Sequence, residues 1–254
     1  MIISAFNEEK RIRRALKDYS RLLQLFGKDI TIIIMSESTD KTNSIVSSYS
    51  KKYKNIRLIK NAERLGKGGA ILKTFQILCK TCSPKDIIGF VDSDESVPSS
   101  EVARLIKTLK VRRIDGIIGS RYLPGSKIIG KMPETRVIAS RAYNILVKLL
   151  FALPYSDTQC AAKFFRADAV CALIGRIVLY HTTIDVDILY KMKLDKRKVI
   201  EVPIIYKVVP GGIKPRILTI FMTTVGLRLS HTRTWKYIPD KIKYGLYKKL
   251  SKIR

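Results

Sequence analysis

Acidic residues are scarce in this chain. Among 254 residues there are 21 Asp and Glu against 49 Lys and Arg, a formal charge of +28. Such an excess does not specify a fold, but it favours polyanionic partners: nucleic acid, anionic lipid or phosphorylated substrates. Histidine is almost missing, with His181 and His231 only, and their spacing fits no zinc-ligand pattern. Cysteine is limited to Cys79, Cys82, Cys160 and Cys171. Cys79 and Cys82 have the spacing of a redox or zinc half-site, yet no second such pair follows, so the expectation is four reduced thiols. No apolar run reaches the ~18 residues of a membrane span. The two best stretches are short: 143–155 carries Lys148 and ends near Pro154, and 217–227 stops at Arg228. Each reads as a core helix or an interfacial one. No signal peptide is expected, because Met1 already belongs to a strand-like run. Internal repeats and low-complexity segments are absent too.

Against that scarcity, the stretch 87–96, IIGFVDSDES, places Asp92, Asp94 and Glu95 together after an apolar strand. Carboxylates that close repel one another, so the cluster either holds a compensating cation or lies open to water.

Elsewhere the first 120 residues alternate regularly. Apolar runs at 1–6, 30–35, 56–60, 87–91 and 116–120 read as strands. Between them lie helical patterns. Ile12, Ala15, Leu16, Tyr19, Leu22, Leu23 and Phe26 recur at helical spacing, with Asn7 as a candidate N-cap and Glu8 and Glu9 in the first turn. Further helices are expected after 38–42, after 64–70 to about residue 81, and near 100–111. Strands alternating with helices indicate βαβ units and a mainly parallel sheet. Ligands bind such sheets beyond the carboxyl ends of the strands, so Asn7, segment 36–40, Asp92 and Asp94 should converge.

Past residue 120 the alternation weakens. A loop at 123–133, a helix around 135–151, a loop and strand over 157–170, a helix over 185–193 and a strand over 198–208 are expected. Residues 213–254 then hold 11 Lys and Arg and one acid, Asp240. Ile238, Ile242, Leu246 and Leu250 repeat every four residues among lysines, the pattern of a basic amphipathic helix on a membrane surface. The expected division is a catalytic domain over 1–210 and a membrane-associating segment over 211–254.

Seven motifs occur in one order: IISAFNEEKRI (2–12), STDKT (38–42), RLGKGGA (64–70), VDSDES (91–96), GSRY (119–122), DTQCAAKFFR (157–166) and DVDILY (185–190). In that order they resemble glycosyltransferase family 2, and within it the dolichyl-phosphate glucose and mannose synthases. The resemblance covers about residues 1–210. It implies a GT-A fold and an inverting transfer of a hexose from a nucleotide-sugar, UDP-glucose or GDP-mannose, to a polyprenyl phosphate. Two departures stand out. Met35-Ser36-Glu37-Ser38 replaces the acidic run usual before the Ser-Thr-Asp motif, and Ala161 replaces a glycine.

Under that resemblance, Asp92 and Asp94 hold Mg²⁺ or Mn²⁺, hard cations that take oxygen ligands and bridge to phosphates. The same pair reads otherwise as a solvated acidic turn. Ala5, Asn7, Glu8, Glu37, Asp40, Lys67, Gly68, Asp92 and Ser93 are the implied donor-binding set. Lys67 and its glycines read otherwise as a plain turn into a helix; the spacing is not that of a P-loop. Arg121, Arg136 and Ser140 would clamp the acceptor phosphate, Arg136 and Ser140 sharing one helix face. Asp157 is either a general base or a structural residue, since a phosphate monoester is mostly dianionic at neutral pH and is already a nucleophile. Asp185 and Asp187 are expected to steady the nearby loop or cap a helix, and Lys163 and Arg166 are weaker phosphate candidates. The expected place is the cytoplasmic face of a membrane, bound peripherally to anionic lipid, with no nucleic acid partner. Three other readings compete: a family 2 enzyme with a non-lipid acceptor, a sugar-nucleotidyltransferase, and a non-catalytic nucleic-acid binder. The second would carry a Gly-rich basic loop after the first strand, where SAFNEE stands here; the third leaves DSDES unexplained.

Overall fold

A computed structural model of the chain describes residues 1–177, 183–209 and 217–232. Nine strands and eight α-helices occur among the described residues. In chain order they begin β1 (Ile2–Ala5), α1 (Ile12–Phe26), β2 (Ile32–Ser36), α2 (Thr42–Lys52), β3 (Ile56–Lys60), α3 (Gly66–Leu78), β4 (Ile87–Val91), α4 (Ser99–Val111) and β5 (Gly116–Ser120). There follow β6 (Lys127–Ile129), α5 (Glu134–Phe151), β7 (Lys163–Arg166), α6 (Ala167–Cys171), α7 (Ile184–Leu194), β8 (Val199–Pro203), β9 (Ile205–Lys207) and α8 (Ile217–Ser230).

Seven strands form one sheet in the order β3-β2-β1-β4-β7-β5-β8. It is parallel except for β7, which runs antiparallel to both β4 and β5. This insertion was not legible in the alternating pattern. Two glycines permit it. A Cβ at Gly89 would collide with the Phe164 ring and the Lys163 carbonyl, and a Cβ at Gly116 would collide with the Phe165 ring. The expected loop at 123–133 contains β6, which pairs with β9 in a small second sheet.

Because side chains alternate across a strand, the sheet feeds two cores. Ile3 and Ala5 of β1 and Val91 of β4 face one side, with α1, α2 and α4; Ile2, Ile88 and Phe90 face the other, with α3, α5, α6 and α7. The stripe read from α1 is buried as expected: Ile12, Ala15, Leu16 and Tyr19 are fully covered. Each such large apolar side chain contributes roughly 1.5–3 kcal/mol of burial.

Two local expectations are corrected. Helix α1 begins at Ile12, so Asn7, Glu8 and Glu9 precede it rather than cap it. Asn7 takes a left-handed conformation, φ 55°, and its Oδ1 accepts from the Thr39 backbone and hydroxyl (2.9 and 3.3 Å). A short polar side chain can tolerate that region by bonding locally. Secondly, the cysteines are not all free thiols: Cys79 and Cys171 form a disulfide across 92 residues, leaving Cys82 and Cys160 free. Its second partner lies too far along the chain for spacing to reveal. Helix α8, read from the sequence as a core or interfacial helix, packs onto the body. Leu227 is fully buried, and the Thr224 hydroxyl lies 3.0 Å from Tyr143 Oη on α5. The expected boundary at 210–211 and the four-residue apolar repeat at 238–250 lie outside the described residues. Among the described residues no helix is long and apolar enough to cross a membrane.

Candidate active site

One cleft of about 960 Å³ opens beyond the carboxyl ends of β1, β2, β4 and β5. Adjacent β1 and β4 bring Ala5 and Asp92 to the same rim although 87 positions apart in sequence, and β2 adds Glu37.

The first half of the cleft is acidic. Lys67, in the first turn of α3, reaches 2.7 Å from Asp92 Oδ1, with each side chain about a third exposed, 34% and 35%. Burial works against the lysine's charge, but Asp92, Asp185 and Asp94 outweigh it and hold its pKa above the ordinary value. Asp94 Oδ1 accepts from the Ser96 backbone at 2.9 Å, which fixes the turn. Glu8 is gripped by the Arg11 guanidinium through two bonds of 2.7 Å. Burial nonetheless pushes the Glu8 carboxyl up, and Asp94 adds to the rise.

Glu37 is the site's unsatisfied group. Its Oε2 accepts from the Gly66 backbone N–H at 3.0 Å, while its buried Oε1 has no hydrogen-bond partner. Burial raises its pKa, opposed by the Gly66 and Leu65 backbone and by Arg64 and Lys73. A buried acceptor left unmade costs about 1–3 kcal/mol, so such an atom in a cleft marks a place for a donor group.

The other half is cationic. Arg121, at the end of β5, is almost wholly buried and forks onto Asp157: Nε to Oδ2 at 2.7 Å and Nη2 to Oδ1 at 2.9 Å. Its own backbone N–H also reaches Asp157 Oδ2, at 3.0 Å. Burial would raise the Asp157 carboxyl, but Arg121 overrides it and holds the pKa below the ordinary carboxylate range. Asp157 is held in turn by Glu201, which accepts the N–H groups of Ser156 and Asp157 at 2.8 and 2.7 Å. Ser140 Oγ lies 3.4 Å from Arg121 Nη2. Arg136, one turn earlier on α5, is exposed at the cleft edge and makes no ion pair among the described residues.

Apolar side chains wall this half. Ile138 of α5 is 67% exposed and Phe221 of α8 is 44% exposed, with Ala142, Leu146 and Ile220 beside them.

Of the residues singled out in the sequence, Ala5, Glu8, Glu37, Lys67, Asp92, Ser93, Asp94, Arg121, Arg136, Ser140 and Asp185 line this single cleft. Asn7, Asp40, Gly68 and Asp157 do not. Asp40 accepts the Thr42 N–H at 2.9 Å at the start of α2, and Gly68 is buried in α3. Asp185 is paired at 2.6 Å with the wholly buried Lys163, and Asp187 with Lys191 and, at 3.2 Å, His231. Lys163 is thus a buried counter-ion, and Arg166 donates to the carbonyls of Ile114, Leu109 and Arg112. Sequence reasoning missed Arg11, Arg64, Gln159 and Tyr206, which also line the cleft. Arg11 sits three residues from Glu8, and Gln159 lies inside the DTQC motif, so both had a local signal; Tyr206 had none.

The family model for glycosyl transferase family 2 matches residues 1–173. The chain belongs to that family. Curated relatives include glycosyltransferase AglD of Haloferax volcanii, 26% identical over 80% of this chain and 32% of that one. Dolichyl-phosphate beta-glucosyltransferase of Dictyostelium discoideum is 31% identical over 75% of this chain and 60% of that one. The chain therefore spans less than two thirds of the length of either relative. Among solved structures, glucosyl-3-phosphoglycerate synthase of Mycobacterium tuberculosis, in complex with phosphoglyceric acid, superposes with a TM-score of 0.65 at 16% identity, covering 89% of this chain and 78% of that one. That likeness establishes the GT-A fold.

Proposed function

We propose that the protein transfers a hexose, with inversion, from a nucleotide-sugar to a polyprenyl phosphate at a membrane surface. The observation that carries this reading is the division of one cleft into an acidic half, a cationic half and an apolar wall. A diphosphate donor needs the first, an acceptor phosphate the second, and a prenyl chain the third. Relatives named dolichyl-phosphate beta-glucosyltransferase support a dolichyl-type acceptor and a glucose donor.

In this reading Asp92 and Asp94 hold a divalent metal. The donor set fits: two carboxylates on one turn, hard oxygen ligands, and Asp92 already drawing a cation to itself in Lys67. When bound, Mg²⁺ or Mn²⁺ supplies charge neutralisation to the departing diphosphate. A solved neighbour with Mn²⁺ and UDP-glucose supports the same choice. Lys67 stands ready to move from Asp92 to a phosphate oxygen. The unpartnered Glu37 Oε1 is placed to accept an N–H of the nucleotide base, with Asn7 and Asp40 shaping the loops around it. Arg121 and Arg136 draw the acceptor phosphate toward the anomeric carbon, and Ser140 adds a hydroxyl. One phosphate oxygen bonds to the anomeric carbon as the bond to the diphosphate breaks on the opposite face. Alignment and charge screening do the work, so no base is needed. Asp157, with both oxygens engaged by Arg121, then serves as that arginine's anchor. The exposed apolar residues of α5 and α8 meet the bilayer, on its cytoplasmic face, while the basic surface attracts anionic lipid.

The test is radiolabelled transfer. UDP-glucose and GDP-mannose are each offered with a polyprenyl phosphate in anionic vesicles, and 3-phosphoglycerate is offered as a soluble competitor acceptor. Lipid-linked label from UDP-glucose is expected. Label on the soluble acid alone, or none with either donor, overturns the reading.

A further inference from the structure

Three cysteines lie away from the cleft and have no part in the proposed transfer. Cys79 closes α3, Cys82 follows it in the same turn, and Cys171 ends α6. Their sulfurs all lie within 4.8 Å of one another. We propose that, once the Cys79–Cys171 bond is reduced, Cys79, Cys82 and Cys171 bind one thiophilic metal ion of the Zn²⁺ class at the junction of α3 and α6.

The shape of the trio carries the inference. Cys82 Sγ lies 3.9 Å from Cys171 Sγ. Two thiolates on one tetrahedral zinc, each at ~2.3 Å, stand ~3.8 Å apart. The alternative role for a third sulfur is to exchange the disulfide by in-line attack. That would set attacking and leaving sulfurs ~5.9 Å apart, the 3.9 Å contact plus an ordinary bond of ~2.0 Å. All three instead fall within 4.8 Å, a triangle rather than a line. Reduction of the Cys79–Cys171 bond lets that edge open toward the ~3.8 Å that the Cys82–Cys171 edge already has, which completes one face of a tetrahedral site.

The backbone fixes where two of the three sulfurs start. The Cys79 N–H bonds the Phe75 carbonyl at 2.8 Å, and the Cys82 N–H bonds the Leu78 carbonyl at 2.9 Å. Cys79 therefore caps α3 and Cys82 sits one turn beyond its last residue, Leu78, in a segment whose packing is independent of the metal. All three cysteines are half-buried, packed against the core that holds Leu78 and Ile174. Solvent access leaves the fourth corner to a water. Soft sulfur donors select Zn²⁺ or its relatives over the hard cation expected in the cleft.

The chemistry balances. A dithiol reductant gives two electrons and two protons to the Cys79–Cys171 bond and becomes a disulfide itself, leaving three thiols. One divalent ion then displaces three protons. Either state ties the end of α3 to α6. The same helix begins at Gly66 and Lys67 in the cleft, so the metal would keep that helix anchored under reducing conditions.

The full chain is the material for the test. Thiol titration of the denatured, unreduced protein should count Cys82 and Cys160; after native treatment with dithiothreitol and anaerobic desalting all four should react. Cobalt(II) is then titrated as a spectroscopic stand-in. One equivalent should produce the thiolate-to-cobalt charge-transfer band, and Zn²⁺ should bleach it. The unreduced protein should give no band. Cys82→Ser, which leaves the disulfide pair intact, should weaken binding by at least about tenfold, whereas Cys160→Ser should not change it. Absence of the band in the reduced protein overturns the proposal. So does equal binding by Cys82→Ser, or a Cys79–Cys171 bond that dithiothreitol cannot open in the folded state. None of these readouts depends on transfer activity.

Discussion

Two ion pairs each bring a cation to the cleft, and they differ in what surrounds them. Lys67 and Asp92 meet at 2.7 Å with both side chains about a third exposed. Arg121 and Asp157 meet at the same 2.7 Å with side-chain exposures of 8% and 2%. The distance is equal; the water is not. An exposed pair contributes about 0–1 kcal/mol and its partners exchange freely. A buried pair that loses one member costs about 3–5 kcal/mol, because the survivor is left charged and unsolvated. The acidic half thus holds its charges loosely, as the proposed exchange of Lys67 for a metal requires. The cationic half holds its arginine permanently, as the proposed acceptor clamp requires. Burial distinguishes Asp92 from Asp157 where residue type cannot.

The largest break in that comparison should come from the loose half. Asp94→Ala, at a half-buried turn residue, is expected to cut transfer by roughly a thousandfold or more while the melting temperature changes little. Chelation of divalent metal by EDTA should match that loss in the wild type. Radiolabelled transfer beside a thermal melt checks both.

The buried half should respond the other way round. Asp157→Asn is expected to destabilise the fold by about 3–5 kcal/mol, a fall near 10 °C in melting temperature, and to raise the acceptor KM. A general base would give the opposite signature, lost kcat with an intact melt. The pH dependence follows from the same pair. The folded pKa of Asp157 is depressed, so its stabilisation is complete above the ordinary aspartate value of about 3.9 and disappears as pH falls below it. Between neutrality and pH 5 this pair should contribute a constant amount. A melt series over that window, wild type against Asp157→Asn, should show parallel curves.

The same contrast marks what the sequence could and could not disclose. The five strands of the first 120 residues were legible because each is a short apolar run closed by a polar turn, and the parallel rule then brought Asp92, Asp94 and Glu37 of segment 36–40 to one cleft, though not Asn7. Arg136 and Ser140 were legible as a helix pair by spacing. The antiparallel β7 was not, since KFFR is too short to announce a direction and its fit depends on Gly89 and Gly116, far away in the chain. Nor could residue type say that Asp157 is sealed against Arg121 while Asp92 is open, because burial is a property of the assembled core. The disulfide failed for the same reason: its partners are 92 residues apart. The start of α1 was misplaced because Asn7 and Glu8 look like caps locally. They are recruited instead by Thr39 and Thr42, with the Glu8 N–H bonding Thr42 Oγ1 at 2.8 Å.

A smaller effect should separate the proposed lipid wall from the proposed phosphate clamp. Ile138→Ser and Phe221→Ser remove exposed apolar surface without touching a charged group. Each is expected to raise the KM for a long polyprenyl phosphate several-fold, on the order of 1–2 kcal/mol of lost burial, and to leave a short prenyl phosphate nearly unaffected. Equal effects on the two acceptors would assign these residues to the headgroup, and the wall would lose its separate role.

The smallest effect on stability, and the one that sharpens the comparison most, concerns Glu37. It belongs to the loose half but is buried like the tight one, and its Oε1 has no partner. Its folded pKa is raised, chiefly by burial, so the protonated form suits the fold and the charge opposes it. The sign is therefore reversed from Asp157. Glu37 contributes most at pH below the ordinary glutamate value of about 4.3, and that contribution is lost as pH rises through its folded pKa. At neutral pH the ionised side chain is a standing cost. Glu37→Gln keeps an acceptor for the Gly66 N–H and removes the charge, so it should raise stability by about 1 kcal/mol, a few degrees in the melt. It should also flatten the pH dependence of stability between about 4.3 and 7. If Oε1 accepts from the nucleotide base, the same change should weaken the donor by about tenfold, the difference between a charged and a neutral hydrogen bond. Calorimetric titration with UDP and GDP separates the cases. Gained stability with lost affinity means the cost is kept for binding, whereas gained stability with unchanged affinity would remove Glu37 from the donor site.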